Sequence, residues 1–312
     1  MNFFPTTLEE AQLYGEGTYL GGATDLLPLL KNQVRDDRDL IFLSKIPELK
    51  EISPEGGYLK IGTAVTLSEL AESTDIQTYF PALAQAAQAA ASPQIRNIAT
   101  IGGNIMQDRR CIYFNQSAHW RSALPMCFKT GGDICHQIPN SPVCRAIYYS
   151  DAATALLLYD AEVEYLQSGQ KFQKPLRELL HQHVEANGKS YRERLRVLIT
   201  GFLLPYPGKR ERSGFHKYAM RASIDFPLIN FALRCGGERP SKIVAGAIAP
   251  EPAELWKTAA LLQTAAPDTE ILSVCRTELA ELAKPIKEAC LSPKRKRDLY
   301  AQISPLLYLR RG

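Results

Sequence analysis

The 312-residue sequence has no long hydrophobic run, and no stretch approaches the roughly eighteen apolar residues of a membrane-spanning helix. Its first residues lack the basic and then apolar segments of a secretion signal, which predicts a cytoplasmic protein. Neither positive nor negative charge dominates, because the sequence has 37 Lys and Arg and 33 Asp and Glu, a net charge of +4. So small a charge predicts no nucleic-acid partner and no membrane surface.

Three signatures of other protein classes are also missing. The sequence has no G-x-G-x-x-G fingerprint, which argues against a nicotinamide-binding Rossmann site. Its cysteines show none of the C-x₂₋₄-C pairs that are typical of structural zinc sites. No Ser/His/Asp or Cys/His arrangement has a supporting context, so no catalytic nucleophile is predicted.

Hydrophobic periodicity predicts an α+β fold in three parts. Residues 1–55 are predicted to form a small β-α-β unit, and residues 56–180 a central part with antiparallel strands. Residues 190–312 are predicted to form a C-terminal α+β domain, a three-stranded antiparallel sheet with helices.

Several strands can be predicted individually. Residues 58–62 and 64–66 alternate as the two strands of an antiparallel hairpin would. The C-terminal domain is predicted to take its three strands from residues 195–204, 214–220 and 242–248. A segment at 225–234 is apolar without a clear period, so no strand is assigned to it.

The segment from Arg109 to Ser150 follows neither the helical nor the strand period. An irregular stretch of this length inside a compact domain indicates a function or an added ligand site. It contains four of the seven cysteines, separated by sixteen, eight and nine positions: Cys111, Cys127, Cys135 and Cys144. The spacing alone leaves a 4Fe–4S cluster, a zinc ion or coincidental thiols open. The other three cysteines are predicted to be packing residues: Cys235, Cys275 and Cys290.

Two glycine pairs mark candidate phosphate-binding loops. The first lies between a predicted strand and a predicted helix, in the segment Tyr19, Leu20, Gly21, Gly22, Ala23, Thr24, Asp25, Leu26. The second lies in the segment Ala99, Thr100, Ile101, Gly102, Gly103, Asn104. Glycine allows close approach of the backbone, and amides at a helix start favour an anion. Two such loops predict a site for the two phosphates of one dinucleotide.

These two motifs resemble the FAD-binding medium subunit of the molybdenum hydroxylases, the family of xanthine dehydrogenase and carbon monoxide dehydrogenase. The resemblance covers essentially the whole chain, since Ser150-Asp151-Ala152-Ala153 and Lys217-Tyr218-Ala219-Met220-Arg221 also fit. It implies a two-subdomain FAD-binding fold of the vanillyl-alcohol-oxidase/PCMH type, followed by the C-terminal domain. It further implies that FAD contacts the residues of both loops other than Ile101, together with Asp151 near the ribose or ribityl hydroxyls, Lys217 near the flavin and Ile199 near its ring.

The cysteine segment resembles a branch of this family, the β subunit of 4-hydroxybenzoyl-CoA reductase. That resemblance implies one 4Fe–4S cluster held by Cys111, Cys127, Cys135 and Cys144. It implies a molybdenum-cofactor large subunit and a 2Fe–2S small subunit as partners, in a dimer of heterotrimers, and a ferredoxin-like electron carrier.

The implied activity is electron relay for the reductive dehydroxylation of 4-hydroxybenzoyl-CoA to benzoyl-CoA. Two alternatives stay open at this point. In the first, the chain has the same cofactors but belongs to an oxidising hydroxylase that passes electrons outward. In the second, it is a zinc-stabilised FAD-binding module with no electron role.

Overall fold

The computed structural model describes residues 1–14, 16–193, 195–221, 223–287 and 302–311. Its strands are β1 (Asn2–Phe3), β2 (Thr18–Leu20), β3 (Leu40–Phe42), β4 (Ile52–Glu55), β5 (Tyr58–Gly62), β6 (Glu162–Gln167), β7 (Gln170–Pro175), β8 (Leu198–Pro205), β9 (Arg212–Tyr218), β10 (Ile229–Cys235), β11 (Lys242–Gly246) and β12 (Ala253–Glu254). Its α-helices are α1 (Leu8–Leu13), α2 (Leu26–Lys31), α3 (Leu67–Glu72), α4 (Thr74–Tyr79), α5 (Pro81–Ala89), α6 (Pro93–Arg96), α7 (Ile101–Ile105), α8 (Ala118–Arg121), α9 (Asp151–Leu158), α10 (Leu176–Lys189), α11 (Trp256–Leu261) and α12 (Asp268–Leu282). Within these ranges, no helix has the length and apolar character needed to cross a membrane.

The N-terminal sheet is parallel, with strand order β1-β3-β2. Helix α1 begins after Thr7, whose hydroxyl oxygen accepts a hydrogen bond from the Glu10 amide and so satisfies one free donor of the first turn. Ala11 and Ile41 are fully buried between helix and sheet. This is the small unit of strands and helices that the sequence predicts at the N-terminus, and the first glycine pair follows β2 directly.

The central sheet is antiparallel, with strand order β4-β5-β8-β6-β7. The predicted pairing of residues 58–62 with 64–66 is wrong, because β5 forms its hairpin with β4 instead. Gly56 and Gly57 connect the two strands with φ angles of 56° and 90°, the left-handed conformation that tight hairpin turns require. Thr66 caps helix α3 rather than extending a strand.

Strand β8 lies inside the central sheet, between β5 and β6. The sequence placed residues 195–204 in the C-terminal domain, so this assignment is corrected. Most side chains of β8 are buried, including Phe202 and Leu204 at 0% exposure. A strand that is buried on both faces has a continuous apolar sequence. Such a sequence does not predict which sheet the strand joins. The central sheet therefore ends at residue 205.

The C-terminal sheet has four strands, in the order β12-β11-β10-β9, rather than the predicted three. All seven residues of β10 are buried, which removes the alternation by which a strand is recognised in the sequence. The added edge strand, β12, is two residues long. Helices α11 and α12 pack on this sheet around Phe231, Ile271 and Leu279.

Helix α9 connects the central and C-terminal sheets. Every one of its residues is buried, and it packs against α5, β10 and β11. Its first turn is capped by Ser150, whose hydroxyl accepts a hydrogen bond from the Ala153 amide. A helix that is apolar on all sides has to lie inside the protein, and this position brings Asp151 to the junction of the sheets.

Candidate cofactor cleft and cysteine cavity

A cleft of about 390 Å³ opens where the N-terminal unit, α7, α9 and the loop after β9 meet. This volume lies within the roughly 300–1,000 Å³ that is typical of ligand and cofactor sites. Fourteen of the sixteen residues predicted to contact FAD line it: Tyr19, Leu20, Gly21, Gly22, Ala23, Thr24, Asp25, Leu26, Ala99, Thr100, Gly103, Asn104, Asp151 and Lys217. Residues that are almost 200 positions apart in the sequence thus share one cavity.

Gly102 and Ile199 do not line the cleft. Gly102 faces Thr63, and a Cβ atom at this position would overlap the Thr63 hydroxyl, so glycine is needed for packing. Ile199 lies on β8, is 5% exposed and belongs to the central hydrophobic core. The expected position of Ile199 near a flavin ring is therefore not supported by the structure.

The two glycine loops pack against each other. A Cβ atom at Gly21 would overlap the Thr100 hydroxyl, and one at Gly22 would overlap the Ile98 carbonyl oxygen. Ala23 follows with a φ of 58°, a left-handed conformation that is unfavourable for a residue with a Cβ. Thr100 caps α7 by accepting a hydrogen bond of 3.2 Å from the Gly103 amide. Gly21 and Gly22 are therefore needed for contact between the loops, whatever the loops bind.

Asp25 connects the first glycine loop to the start of the cysteine segment. Although it stands at the N-cap of α2, its side chain makes no capping hydrogen bond. One carboxylate oxygen pairs with Arg110, and the other accepts a hydrogen bond of 3.3 Å from the Asp108 amide. The Arg110 guanidinium also lies 4.6 Å from the centre of the Phe226 ring. The wall of the cleft is thus continuous with the cysteine segment.

Asp151 and Lys217 form a buried ion pair at the edge of the cleft. The Asp151 carboxylate lies 2.9 Å from Lys217 Nζ and 2.6 Å from Asn230 Nδ2. Lys217 Nζ also donates to the Ala89 carbonyl oxygen at 2.9 Å. Burial raises the pKa of Asp151, and the Lys217 charge and the two hydrogen bonds act against that rise. The pair presents a fixed carboxylate and a fixed ammonium group to a bound molecule.

The cleft is also lined by polar residues that were not predicted from the sequence: Arg35, Asp108, His183 and Asn187. His183 Nε2 lies 3.2 Å from the Gln107 carbonyl oxygen, and Nδ1 has no partner among the described residues. Burial lowers the pKa of His183. Helix α10 carries two of these residues, and its buried positions at 176, 179, 180, 183, 184 and 187 follow the helical period. That pattern is the signal that could have predicted them.

The four cysteines of the irregular segment line one small cavity of about 20 Å³: Cys111, Cys127, Cys135 and Cys144. All four thiols are free. The Ala146 amide lies 3.5 Å from Cys144 Sγ, and the Thr130 hydroxyl lies 3.7 Å from Cys127 Sγ. Burial raises the pKa of Cys111, against hydrogen bonds from two backbone amides.

The thiols line one cavity, but they are not as close to one another as the ligands of a single metal ion. Within the described ranges, no three His, Cys, Asp or Glu side chains are close enough to hold one metal ion. A void of this size holds about one water molecule, which is less than a 4Fe–4S cube needs. Cys235 and Cys275 are buried in the C-terminal core at 2% and 0% exposure, and Cys290 lies outside the described residues.

The cleft and the cavity share a buried polar wall. Lys129 lines the cavity, and its ammonium lies 2.5 Å from a carboxylate oxygen of Asp108, which lines the cleft. Burial acts to raise the pKa of Asp108, but the charges of Lys129 and Arg35 outweigh it and lower that pKa. Burial lowers the pKa of Lys129, and the Asp108 charge opposes the change.

Comparisons with known proteins agree with this architecture. The family described as the FAD-binding domain in molybdopterin dehydrogenase matches residues 3–207. The xanthine dehydrogenase FAD-binding subunit of Escherichia coli O157:H7 is 29% identical over 239 residues, which are 75% of this chain and 67% of that protein. The aldehyde oxidoreductase FAD-binding subunit PaoB of Escherichia coli K12 is 30% identical over 254 residues, 78% of each protein.

A solved structure of the carbon monoxide dehydrogenase from Hydrogenophaga pseudoflava, in the form that lacks the Mo-pyranopterin moiety, shares the fold. It covers 100% of this chain and 94% of its own, with a TM-score of 0.74 and 19% sequence identity. At that identity the likeness concerns the fold alone. It extends beyond residue 207, so the C-terminal sheet is part of the shared architecture.

Proposed function

Because this chain belongs to the FAD-binding family of the molybdopterin dehydrogenases, we propose that it is a subunit carrying both FAD and one 4Fe–4S cluster. Its partners are a molybdenum-cofactor large subunit and a 2Fe–2S small subunit, arranged as a dimer of heterotrimers. The observation that carries the proposal is the convergence of four distant cysteines on one cavity beside the cleft. Cysteines without a shared role would not be expected to line the same cavity.

The cleft fits FAD in its chemistry, and its volume lies in the range of ligand and cofactor sites. The two glycine loops supply closely packed backbone for the pyrophosphate, since a side chain at Gly21 or Gly22 would push the loops apart. Asp151 and Lys217 line the cleft, where Asp151 would accept hydrogen bonds from ribose or ribityl hydroxyls and Lys217 would lie towards the flavin. When bound, FAD supplies the capacity to take up one or two electrons, and the protein supplies its position and electrostatic surroundings.

The cysteine cavity fits a 4Fe–4S cluster in its donors and less well in its size. Four thiolates are the usual ligands of such a cube, and hydrogen bonds to sulfur such as that from the Ala146 amide tune its potential. The cavity has to widen when a cube binds, which the irregular backbone of residues 109–150 permits. Free thiols of this kind persist in the reducing cytoplasm, the compartment that the proposal requires.

The direction of electron flow has two candidates. Resemblance of the cysteine segment to 4-hydroxybenzoyl-CoA reductase favours inward flow, from a ferredoxin towards molybdenum, for reductive dehydroxylation to benzoyl-CoA. The names of the relatives, a xanthine dehydrogenase and an aldehyde oxidoreductase, favour outward flow from an oxidised substrate. The reductase is our leading proposal, because the cysteine segment is the feature on which the resemblance depends.

Substitution of one cysteine tests the cluster. We expect Cys127→Ser to lose the iron-dependent absorbance and paramagnetic signals of the anaerobically purified chain while keeping its flavin. Cys235→Ser is the matched control, because Cys235 is buried in the C-terminal core, and it should keep both cofactors. Unchanged iron in Cys127→Ser would refute the assigned ligands.

An assay of the assembled complex tests the direction. The complex is supplied with reduced ferredoxin and 4-hydroxybenzoyl-CoA, and benzoyl-CoA is measured. In parallel, it is supplied with purines or aldehydes and an artificial electron acceptor. Benzoyl-CoA formation supports the reductase, whereas oxidation of a purine or an aldehyde without benzoyl-CoA formation would replace it by the oxidising alternative. Stoichiometric zinc without iron would favour the zinc-stabilised module.

A further inference from the structure

A single buried lysine lies between the cysteine cavity and the cofactor cleft. Lys129 belongs to a short 3₁₀ turn, Phe128–Thr130, and is 1% exposed. Its Nζ lies 2.5 Å from Asp108 Oδ1, 2.8 Å from the Arg109 carbonyl oxygen and 2.9 Å from Asn187 Oδ1. Asp108 and Asn187 line the cleft, so the lysine contacts the walls of both sites.

The geometry requires that Lys129 is charged. Three oxygen acceptors surround its nitrogen, and only an ammonium group has three protons to donate to them. The nitrogen also lies 4.2 Å from the centre of the Phe114 ring, a position that favours a cation.

The wall has an excess of positive charge next to the cysteines. Arg109 is 2% exposed, and its Nη1 lies 3.4 Å from the carbonyl oxygens of Cys144 and Ala146. With Arg35, which pairs with Asp108 and with Asp37, three largely buried cations thus meet two largely buried carboxylates, so one positive charge remains in excess. A cluster held by four thiolates is anionic and gains a further negative charge on reduction, so a nearby cation stabilises its reduced form.

Lys129 also connects the cysteine segment mechanically to the cleft. Its own carbonyl oxygen accepts a hydrogen bond of 2.9 Å from the Tyr191 amide, beyond the end of α10. Asp108, its partner, donates its amide to Asp25 of the first glycine loop. A chain of contacts thus runs from Lys129 through Asp108 to Asp25 of the first glycine loop.

We propose that Lys129 is a positioning residue that docks the cysteine segment onto the cleft wall and raises the reduction potential of the bound cluster. The inference rests on the proposed function, because it takes the four cysteines as cluster ligands. It assigns to the lysine a role in setting the electron transfer between the two cofactors, without contact to either substrate or flavin.

The test compares charge variants of the full chain loaded with iron and sulfide. Lys129→Met removes the cation, and we expect a more negative midpoint potential in an EPR-monitored redox titration, with weaker FAD binding in a fluorescence titration. Lys129→Arg keeps the charge and should restore most of the potential. The control is Lys174→Met, whose ammonium bonds Gln182 at an exposed site, and it should match the wild-type chain.

A second variant separates charge from packing. Asp108→Asn removes the negative charge and should shift the midpoint potential in the opposite, more positive direction, which a purely structural role does not predict. If Lys129→Met does not fold, the shift measured in Asp108→Asn is sufficient to test the proposal. Potentials equal to wild type, or shifts of the same sign in both variants, would overturn the inference and leave the proposed function intact. A wild-type chain that takes up no iron would refute the proposed function and this inference with it.

Discussion

The cofactor cleft and the cysteine cavity lie on opposite sides of one polar wall and are built in different ways. The cleft is made of short loops that follow regular strands and precede helices, held in place by three sheets. The cavity is made of a segment with little regular structure, in which four thiols provide the common feature. The cleft is thus shaped before anything binds, whereas the cavity would have to widen around the proposed cluster. Variants on the two sides are expected to have separable effects.

The largest effect on FAD binding is expected at the contact between the glycine loops. Gly22→Val places side-chain atoms against the Ile98 carbonyl oxygen, which the backbone cannot move aside cheaply. Overpacking of this kind costs about 1–3 kcal/mol, so FAD should bind about fivefold to 150-fold more weakly. Flavin fluorescence titration measures the change, and iron content should stay at the wild-type level.

Gly208→Val is the control for this change, since no atom lies within 4 Å of a Cβ added at Gly208. It should bind FAD as the wild-type chain does. If Gly22→Val retains full flavin, the two loops do not form the FAD site. If it loses iron along with flavin, the two sites are not separable.

The next effect concerns the ion pair at the edge of the cleft. Asp151→Asn leaves the Lys217 ammonium without its carboxylate, and both side chains are at most 10% exposed. Removing one partner of a buried pair costs about 3 kcal/mol of the free energy of unfolding. Urea denaturation measures the loss. Glu281→Gln breaks an exposed pair with Lys257 and should cost less than about 1 kcal/mol. Equal losses in both variants would contradict the buried character of the pair.

A smaller effect concerns pH and the cleft wall. Burial keeps His183 neutral in the folded chain, whereas the unfolded chain takes up a proton below the ordinary pKa. Stability should therefore fall as the pH drops below about 6.5, by at most about 1.4 kcal/mol per pH unit for this group. His183→Gln should flatten that slope in urea denaturation. Burial also lowers the pKa of His216, so His216 should still contribute its own part of the pH dependence in this variant. An unchanged slope would mean that folding does not lower the pKa of His183.

The smallest effect is expected at Ala23 in the first glycine loop. Its φ of 58° costs an alanine about 1 kcal/mol that a glycine does not lose, so Ala23→Gly should raise the free energy of unfolding by that amount. Ala89→Gly, at the end of α5, should lower it by about 0.5–1 kcal/mol. Thermal unfolding of both variants measures the difference, and a loss of stability in Ala23→Gly would contradict the strained conformation.

How much the sequence predicts differs between the two sites. That both glycine loops line one cleft agrees with the sequence pattern, because paired glycines allow the backbone to approach closely, and their contact with FAD stays a prediction. Asp108 was not predictable, since it reaches the cleft through contacts of residues far apart in the chain, and Asn187 was indicated only by the helical period of the buried positions of α10. The structure does not support the expected position of Ile199 near a flavin ring. An apolar residue of a buried strand can face either a core or a cavity, and the sequence does not distinguish the two.

For the cavity, the sequence supplied the ligand types but no geometry. The spacing of sixteen, eight and nine positions gives no indication of how an irregular segment folds. The burial of Lys129 could not be predicted, because lysine is almost always exposed. Only the structure shows that this lysine is buried and has three hydrogen-bond acceptors. The polar wall between the sites is therefore a finding of the structure alone.

The central claim, that one chain holds FAD and an iron–sulfur cluster in neighbouring sites, is tested most directly by composition. Iron, acid-labile sulfide, zinc and flavin are measured per chain in a single anaerobic preparation of the wild-type protein. We expect about four iron atoms and four sulfides with about one FAD, and no stoichiometric zinc. One zinc per chain without iron, or flavin without any metal, would contradict it.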